Sequence, residues 1–552
     1  MAGPRGRSSL LYRAIPTQQP RDDPPEPILS VMRRLILASF LALLATAPLT
    51  PGALAQATKA PAKAPVRTSA KPVAKRVAKR VAKAPALPAL RARQPQDAAA
   101  LAVDLKSLIT SSTRTGTWGV MVVSLTNGDT LYGHNVDDLL VPASTMKLYT
   151  SAIALERFGP AHTFRTDILR DGTLLANGTI DGDLIFVGAG DPSLSPRYAE
   201  WNDGVKPMDA IANLVVAAGV TRVRGDIVAD ASAFDDSRVP DGWRARNLQA
   251  GYSARVSALS SNGNMAVIAV SPSGGGAKVG FTQPVSGVNI VSSVSVRPNA
   301  RGASIRVWQD TIAEVFRVNG WIGSLSRSRS YQVVVEQPER FTAAAFRAAL
   351  EARGIVVEGG VRVGAAPASA QKVTAWASPP LAQLVATMNG ESNNHFAELL
   401  FRNAARTDGN VGSAAVANES LRTFLVDRVG VSPDAVFAAD GSGLSTLDRV
   451  TPRSMVALLG YTAMAPWGAV LQASLPVAGR TETLRTRMRA TAAQGNLRGK
   501  TGTTGEVTSL GGYVTAKNGE ELAFAFIYNG RELWRARDAI DAMGVTLASF
   551  TR

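Results

Sequence analysis

The sequence predicts an α/β (α+β) fold in which a domain of helices and sheet is split by a large strand-rich insertion. Three observations predict it. Helix and strand periods alternate up to about residue 165, short apolar strand patterns then run from about 166 to 337, and helical periods return after Pro379-Pro380. A mixed pattern at both ends of the chain, interrupted by a long run of strands, is the signature of one domain holding another inside it.

The elements follow in order. Ala100, Leu101, Val103, Leu105 and Leu108 recur at helical spacing and open the globular region. Val120–Ser124 and Thr130–Tyr132 flank Asn127-Gly128, a dipeptide suited to hairpin turns because both residues tolerate positive φ. A helix is expected to start near Ser144 and to stop at Gly159-Pro160. The insertion reads as strands at Leu184–Val187, Asp226–Val228, Met265–Val270, Val288–Val296, Ser304–Trp308 and Tyr331–Val335. A helix with Phe346, Ala349 and Leu350 on one face follows it. Strands at Ser509–Thr515 and Leu522–Tyr528, then a helix near Glu532–Phe550, close the chain.

The 552 residues leave room for about three to four domains of roughly 150 residues each. The net charge of +17 is concentrated: eleven basic residues and no acid lie between Thr58 and Pro95, and the chain from residue 96 onward is nearly neutral. That distribution argues against a nucleic-acid-binding core, whose basic excess would persist in the folded part. The absence of cysteine excludes disulfides, thiolate metal sites and a cysteine nucleophile. With only His134, His162 and His395, a multi-histidine metal site is not expected, nor is any other cofactor.

Met32-Arg33-Arg34, the apolar run Leu35–Ala47 and Ala53-Leu54-Ala55 have the layout of a secretory signal peptide over 32–55, with residues 1–31 expected to lie upstream of the true start. Export to the periplasm is the expected location. Residues 56–96 form a Lys/Ala/Pro linker expected to be disordered. It is either an inert tether or an electrostatic contact with an anionic wall or membrane surface. The remainder divides into 97–165 and 368–552, two parts of one domain, around an inserted 166–367.

Neither a Gly-x-Ser-x-Gly nor a His-Glu-x-x-His nor a P-loop pattern occurs. His395-Phe396-Ala397-Glu398 has metal-ligand spacing but reads as an ordinary helix pair. Three other short motifs stand in a meaningful order. In Ser144-Thr145-Met146-Lys147, the hydroxyl and amine are three residues apart and share a helix face, so an unprotonated Lys147 could take the Ser144 proton. Ser392-Asn393-Asn394 lies between two helical stretches. Lys500-Thr501-Gly502-Thr503 enters a strand, offering a cation, two hydroxyls and a glycine that leaves the edge open. Chance matches exist at Ser369-Ala370-Gln371-Lys372 and Ser260-Ser261-Asn262, in contexts that suit them poorly.

Together and in this order, the three motifs resemble those of the penicillin-recognising serine enzymes. The gap from Lys147 to Ser392 is too long for a β-lactamase. With Gly190-Asp191-Pro192-Ser193-Leu194, Tyr252–Leu259, Asp440-Gly441-Ser442-Gly443-Leu444-Ser445 and Ser474–Gly479, it is similar to the DacB-type D-alanyl-D-alanine carboxypeptidase/endopeptidase family, the penicillin-binding protein 4 type. Asn393 at the centre of the second motif, Glu482 in place of an expected Gly and Thr504 in place of an expected Leu depart from the family pattern.

The resemblance implies a penicillin-binding-protein/β-lactamase-like domain, an antiparallel sheet flanked by helices, with the insertion between the first and second motifs. It implies hydrolysis of peptidoglycan stem peptides through an acyl-enzyme on Ser144, and inhibition by β-lactam antibiotics. Lys147 would act as base, Ser392 would pass a proton to the leaving amine, and Asn394 would hold the substrate amide. Lys500, Thr501, Gly502 and Thr503 would bind the terminal carboxylate, and the N–H groups of Ser144 and Thr503 would form the oxyanion hole. Lys500 is also expected to help keep Lys147 neutral. A β-lactamase or esterase of the same superfamily, or a non-catalytic wall-binding protein, are the alternatives.

Overall fold

The computed structural model describes residues 90–311, 315–406 and 410–552. The expected signal peptide, residues 1–31 and linker residues 56–89 lie outside the described residues.

In chain order, α1 (Ala98–Ser112) leads into β1 (Thr117–Ser124) and β2 (Thr130–His134), and a 3-10 turn (Ala143–Met146) runs into α2 (Lys147–Phe158). Then come β3 (Arg165–Leu174), β4 (Thr179–Val187), α3 (Pro207–Ala217), β5 (Arg222–Val223) and β6 (Ile227–Asp230). They are followed by β7 (Met265–Ser273), β8 (Gly276–Phe281), β9 (Asn289–Arg297), β10 (Ala303–Asp310), β11 (Val315–Gly323) and β12 (Arg329–Val334). The insertion closes with α4 (Pro338–Glu351), β13 (Val356–Val357), β14 (Val361–Val363) and β15 (Gln371–Ala377). The C-terminal part holds α5 (Leu381–Glu391), α6 (Asn394–Ala404), α7 (Ala414–Phe424), β16 (Val436–Phe437), β17 (Arg449–Val450), α8 (Pro452–Met464) and α9 (Gly468–Ser474). It ends with β18 (Arg498–Thr503), β19 (Val507–Thr515), β20 (Glu521–Asn529) and α10 (Leu533–Ser549).

The sheet that carries the site has the order β18-β19-β20-β1-β2, with every neighbouring pair antiparallel. Its central strands are apolar on both faces, the mark of a sheet covered on both sides. On β20, Leu522, Phe524, Phe526 and Tyr528 pack with α1 and α10, while the alternate Ala523, Ala525 and Ile527 pack with Met146, Leu148 and Met455 on the other face. Small residues on that second face let α8 lie close to β20.

The inserted strands form separate sheets. β3, β4, β5, β6 and β13–β15 make a mixed sheet backed by α3 and α4. β12-β7-β8 and β10-β11-β9 are three-stranded sheets that share one core. The sequence reading of 166–337 as strands missed α3, although Pro207 at its first turn and buried Ile211, Ala212 and Val215 at helical spacing mark it. The first sheet of the insertion also takes in β15, beyond residue 367, through antiparallel pairing with β3.

Candidate active site

Ser144 does not sit on the α-helix expected to start there. It occupies the 3-10 turn Ala143–Met146, and α2 begins at Lys147. The turn is fastened to β19: Ser509 Oγ and Thr145 Oγ1 each donate to Pro142 O at 2.7 Å. Gly502 explains how close the strand lies. A Cβ there would fall 2.2 Å from Ser509 Oγ and 2.7 Å from Pro142 O, so only glycine lets β18 pass beside the turn.

Lys147 is fully buried, and its Nζ donates to Ser144 Oγ (3.1 Å), Asn394 Oδ1 (2.7 Å) and Ser442 O (2.6 Å). Burial lowers its pKa to about 8, against the opposing pull of Asp440, Glu398 and Asp448. Desolvation is the main cause, and the repulsion between the two lysines falls on Lys500. Lys500, also fully buried, is itself held well below the lysine range by burial and by repulsion from Lys147.

Lys500 Nζ donates to Ser392 Oγ at 2.9 Å and to Thr501 O at 2.9 Å. Ser392 caps α5 in the left-handed region (φ 57), a conformation unusual for a non-glycine residue, from which its hydroxyl reaches the lysine. The next residue explains the departure at the motif's centre. Asn393 caps α6, accepting the Phe396 N–H at 3.2 Å, and takes no part in either lysine pair. Asn394 turns its Oδ1 to Lys147 and donates from Nδ2 to Tyr252 O at 2.9 Å, which ties the second motif to the insertion.

On β18, Gly499 donates outward to Pro476 O at 3.0 Å. Strand alternation carries the N–H groups of Thr501 and Thr503 to the same outer edge, which β19 does not use. Thr501 Oγ1 donates to Thr483 Oγ1 at 3.0 Å, and Thr503 Oγ1 to Gly502 O at 2.8 Å. Glu482 adopts φ 46, a left-handed conformation that the expected glycine would adopt without strain.

Several contributors were not singled out as site residues in the sequence, although two lie in segments quoted for the resemblance. Ser442 supplies the third acceptor to Lys147. Asp440 holds that loop in place by accepting the N–H groups of Ser442 (3.0 Å), Gly443 (2.6 Å) and Ser445 (2.7 Å), and the Trp243 indole N–H from the insertion at 2.7 Å. Glu398 accepts the Gly441 N–H at 3.3 Å, and burial with Asp440 nearby pushes its carboxyl up to about 8. His395, expected to be an ordinary helix residue, is buried on α6 and lowered by that burial to about 4.

The chance motifs fall elsewhere. Lys372 lies on β15, 3.4 Å from Asp167, and Ser260 donates to Ser257 O at 2.7 Å. Two cavities border the centre. One of about 450 Å³ is lined by Ser392, Asn394, Tyr252 and Arg197. The other, of about 460 Å³, is lined by Leu444, Thr504, Arg244 and Arg449.

A serine hydroxyl held by a buried, pKa-lowered lysine at the edge of an antiparallel sheet, with a Ser-x-Asn loop and a Lys-Thr-Gly strand around it, defines a serine acyl-transfer enzyme of the penicillin-recognising class. The sequence pattern of the D-Ala-D-Ala carboxypeptidase 3 (S13) family matches residues 101–550, and the chain belongs to that family. It is 33% identical over 452 residues to the D-alanyl-D-alanine carboxypeptidase of Actinomadura sp. (strain R39), covering 78% of this chain and 81% of that one. Penicillin binding protein 4 (dacB) from Haemophilus influenzae has the same fold: TM-score 0.69, 23% identity, covering 80% of this chain and 98% of that one. The same protein complexed with a β-lactam superposes with TM-score 0.63 at 23% identity, covering 78% and 93%. The chain is a serine-type D-Ala-D-Ala carboxypeptidase of the penicillin-binding protein 4 type, as the motifs implied.

Proposed function

We propose that Ser144 attacks the carbonyl of the penultimate D-Ala of a peptidoglycan stem peptide, with Lys147 as base, and that water then hydrolyses the acyl-enzyme. The observation that carries this is the set of partners around Lys147 Nζ. Two of the three, Asn394 Oδ1 and Ser442 O, can only accept. A deprotonated amine keeps two N–H donors for them and directs its lone pair at the one partner that can donate, the Ser144 hydroxyl. Loss of a proton from Lys147 therefore produces a general base already aimed at the nucleophile.

The other motifs take roles consistent with their contacts. Ser392, bonded to Lys500, passes a proton to the leaving amine. The N–H groups of Ser144 and Thr503 bind the developing oxyanion. Lys500, with Thr501 and Thr503, receives the terminal carboxylate. Because burial and Lys147 disfavour a charged Lys500, carboxylate binding and protonation of Lys500 are linked. Penicillin, whose carboxylate and strained amide match the same groups, acylates Ser144 and stalls there. A known β-lactam complex of the H. influenzae relative supports this reading of partners.

Intact mass spectrometry after benzylpenicillin, followed by peptide mapping, is expected to show a single adduct on Ser144. An adduct that survives Ser144→Ala, or that maps to Ser369, would overturn the assignment.

Lys500→Ala is expected to weaken binding of peptides ending in D-Ala-D-Ala and to slow acylation. A charge-assisted hydrogen bond is about twice as strong as a neutral one. Amidating the peptide C-terminus should therefore hurt the wild type and add little to the mutant's loss. Strictly additive losses in that cycle would show that Lys500 does not contact the carboxylate.

A further inference from the structure

We propose that the outer face of the β10-β11-β9 sheet is a second contact for the polymeric substrate, one that binds the free carboxylates of peptidoglycan stem peptides through stacked arginines. The proposal rests on the substrate reading above and adds a site remote from Ser144 in the sequence.

Strand alternation divides this sheet sharply. Ile290, Val294, Val296, Ile305, Val307, Phe316, Val318 and Ile322 point inward to the core shared with β7 and β12. The alternate positions point outward. In register across the strands, Ser304 lies opposite Trp321 and Trp321 opposite Ser295. Arg306 likewise lies opposite Asn319, and Trp308 opposite Arg317. A sheet face turned to water ordinarily carries scattered polar side chains. This one carries two tryptophans and three arginines, the residue types that accumulate at binding interfaces.

The arginines are arranged on the aromatic rings. The Arg297 guanidinium lies 3.8 Å from the Trp321 ring centroid, and that of Arg306 lies 5.1 Å from Trp308. Stacking on an indole gives up side-chain freedom in advance and leaves the planar N–H fork directed along the surface, the geometry that grips a carboxylate with two parallel hydrogen bonds. The acid on this face, Asp310, accepts from Arg317 at 2.7 Å and so does not cancel the other two cations. From Asn289 to Arg329 the sequence holds six arginines against Asp310 and Glu314, whereas the chain beyond residue 96 is close to neutral as a whole. The local charge selects an anion.

Strand geometry places Arg297 and Arg306 about 10 Å apart across the sheet and about 13 Å apart along it. A polymer that repeats a carboxylate on each stem peptide can meet both at once, and two weak contacts on one strand reinforce each other.

The test is cosedimentation of the full chain, carrying Ser144→Ala to prevent digestion, with insoluble peptidoglycan stripped of phosphate polymers. Arg297→Gln/Arg306→Gln is expected to raise the half-saturating peptidoglycan concentration about threefold to tenfold. In the background with Ser144 intact, the same pair should turn over a soluble D-Ala-D-Ala peptide at the wild-type rate, which reports an intact fold. Should both binding and turnover fall, Arg297→Lys/Arg306→Lys decides, since it keeps the charge and should restore turnover and part of the binding. Amidating the peptidoglycan carboxylates should abolish the difference between wild type and the Gln pair. Equal binding by both, a difference that persists on amidated material, or one that appears only when phosphate polymers are left in place would overturn the proposal. A wild-type chain that sediments but fails to cleave the soluble peptide would instead sink the catalytic reading and leave this surface standing.

Discussion

Replacing Lys147 with methionine is expected to slow acylation of Ser144 by penicillin by about 10²- to 10⁴-fold, the range a positioned general base supplies. Methionine fills similar space, so the loss should come from the missing base and not from a cavity. The wild-type rate should also carry the titration of this amine. Burial sets its pKa at about 8. The reactive form is the neutral one, so the acylation rate at saturating penicillin, where the bound carboxylate already holds Lys500 charged, should rise about tenfold per pH unit below about 8 and level off above it. The sign follows from the direction of the shift: at the ordinary lysine value the plateau would lie beyond pH 10. Stopped-flow acylation between pH 6 and 10 measures this. A rate that is flat from pH 6 to 9, or a Lys147→Met variant within tenfold of wild type, would show that another group takes the proton.

Gly443→Ala should be the most damaging single-methyl change near the site. Gly443 has φ +80, and a Cβ there would lie 1.9 Å from Ala143 O and 3.0 Å from Ser144 N. The left-handed backbone alone costs an alanine about 1–2 kcal/mol. The overlap is with backbone, which cannot rotate away, and adds roughly 1–3 kcal/mol. The 3-10 turn that aims Ser144 must then move, so acylation should fall together with the melting temperature. Gly430 serves as the control. It has φ +77 and open space around its would-be Cβ, so Gly430→Ala should show the conformational cost without loss of acylation. Indistinguishable behaviour of the two variants would mean that the 440–445 loop does not hold the turn.

Much of this was legible in the sequence because it is local. The Asn127-Gly128 hairpin, the helix stop at Gly159-Pro160 and the period-2 strands of the insertion depend on neighbours a few residues apart, and the three motifs carry their chemistry within four residues each. The 3-10 turn under Ser144 is not local in this sense: Ser509 and Gly502, far along the chain, press it into place. Nor was α3 recognised, since a short apolar helix and a buried strand look alike to a period count.

By itself, the sequence determined which residues could do chemistry, in which order they occur, and that a long strand-rich segment separates them. Only the tertiary structure decided how they act on one another. β1 pairs with β20 across some four hundred residues, which closes the split domain around its insertion. That closure buries Lys147 and Lys500 together and brings Asn394 and the Ser442 carbonyl onto the Lys147 amine. A lysine's pKa is set by how much water it loses and by what faces it, and both are properties of the packed molecule that no spacing of residues along the chain encodes.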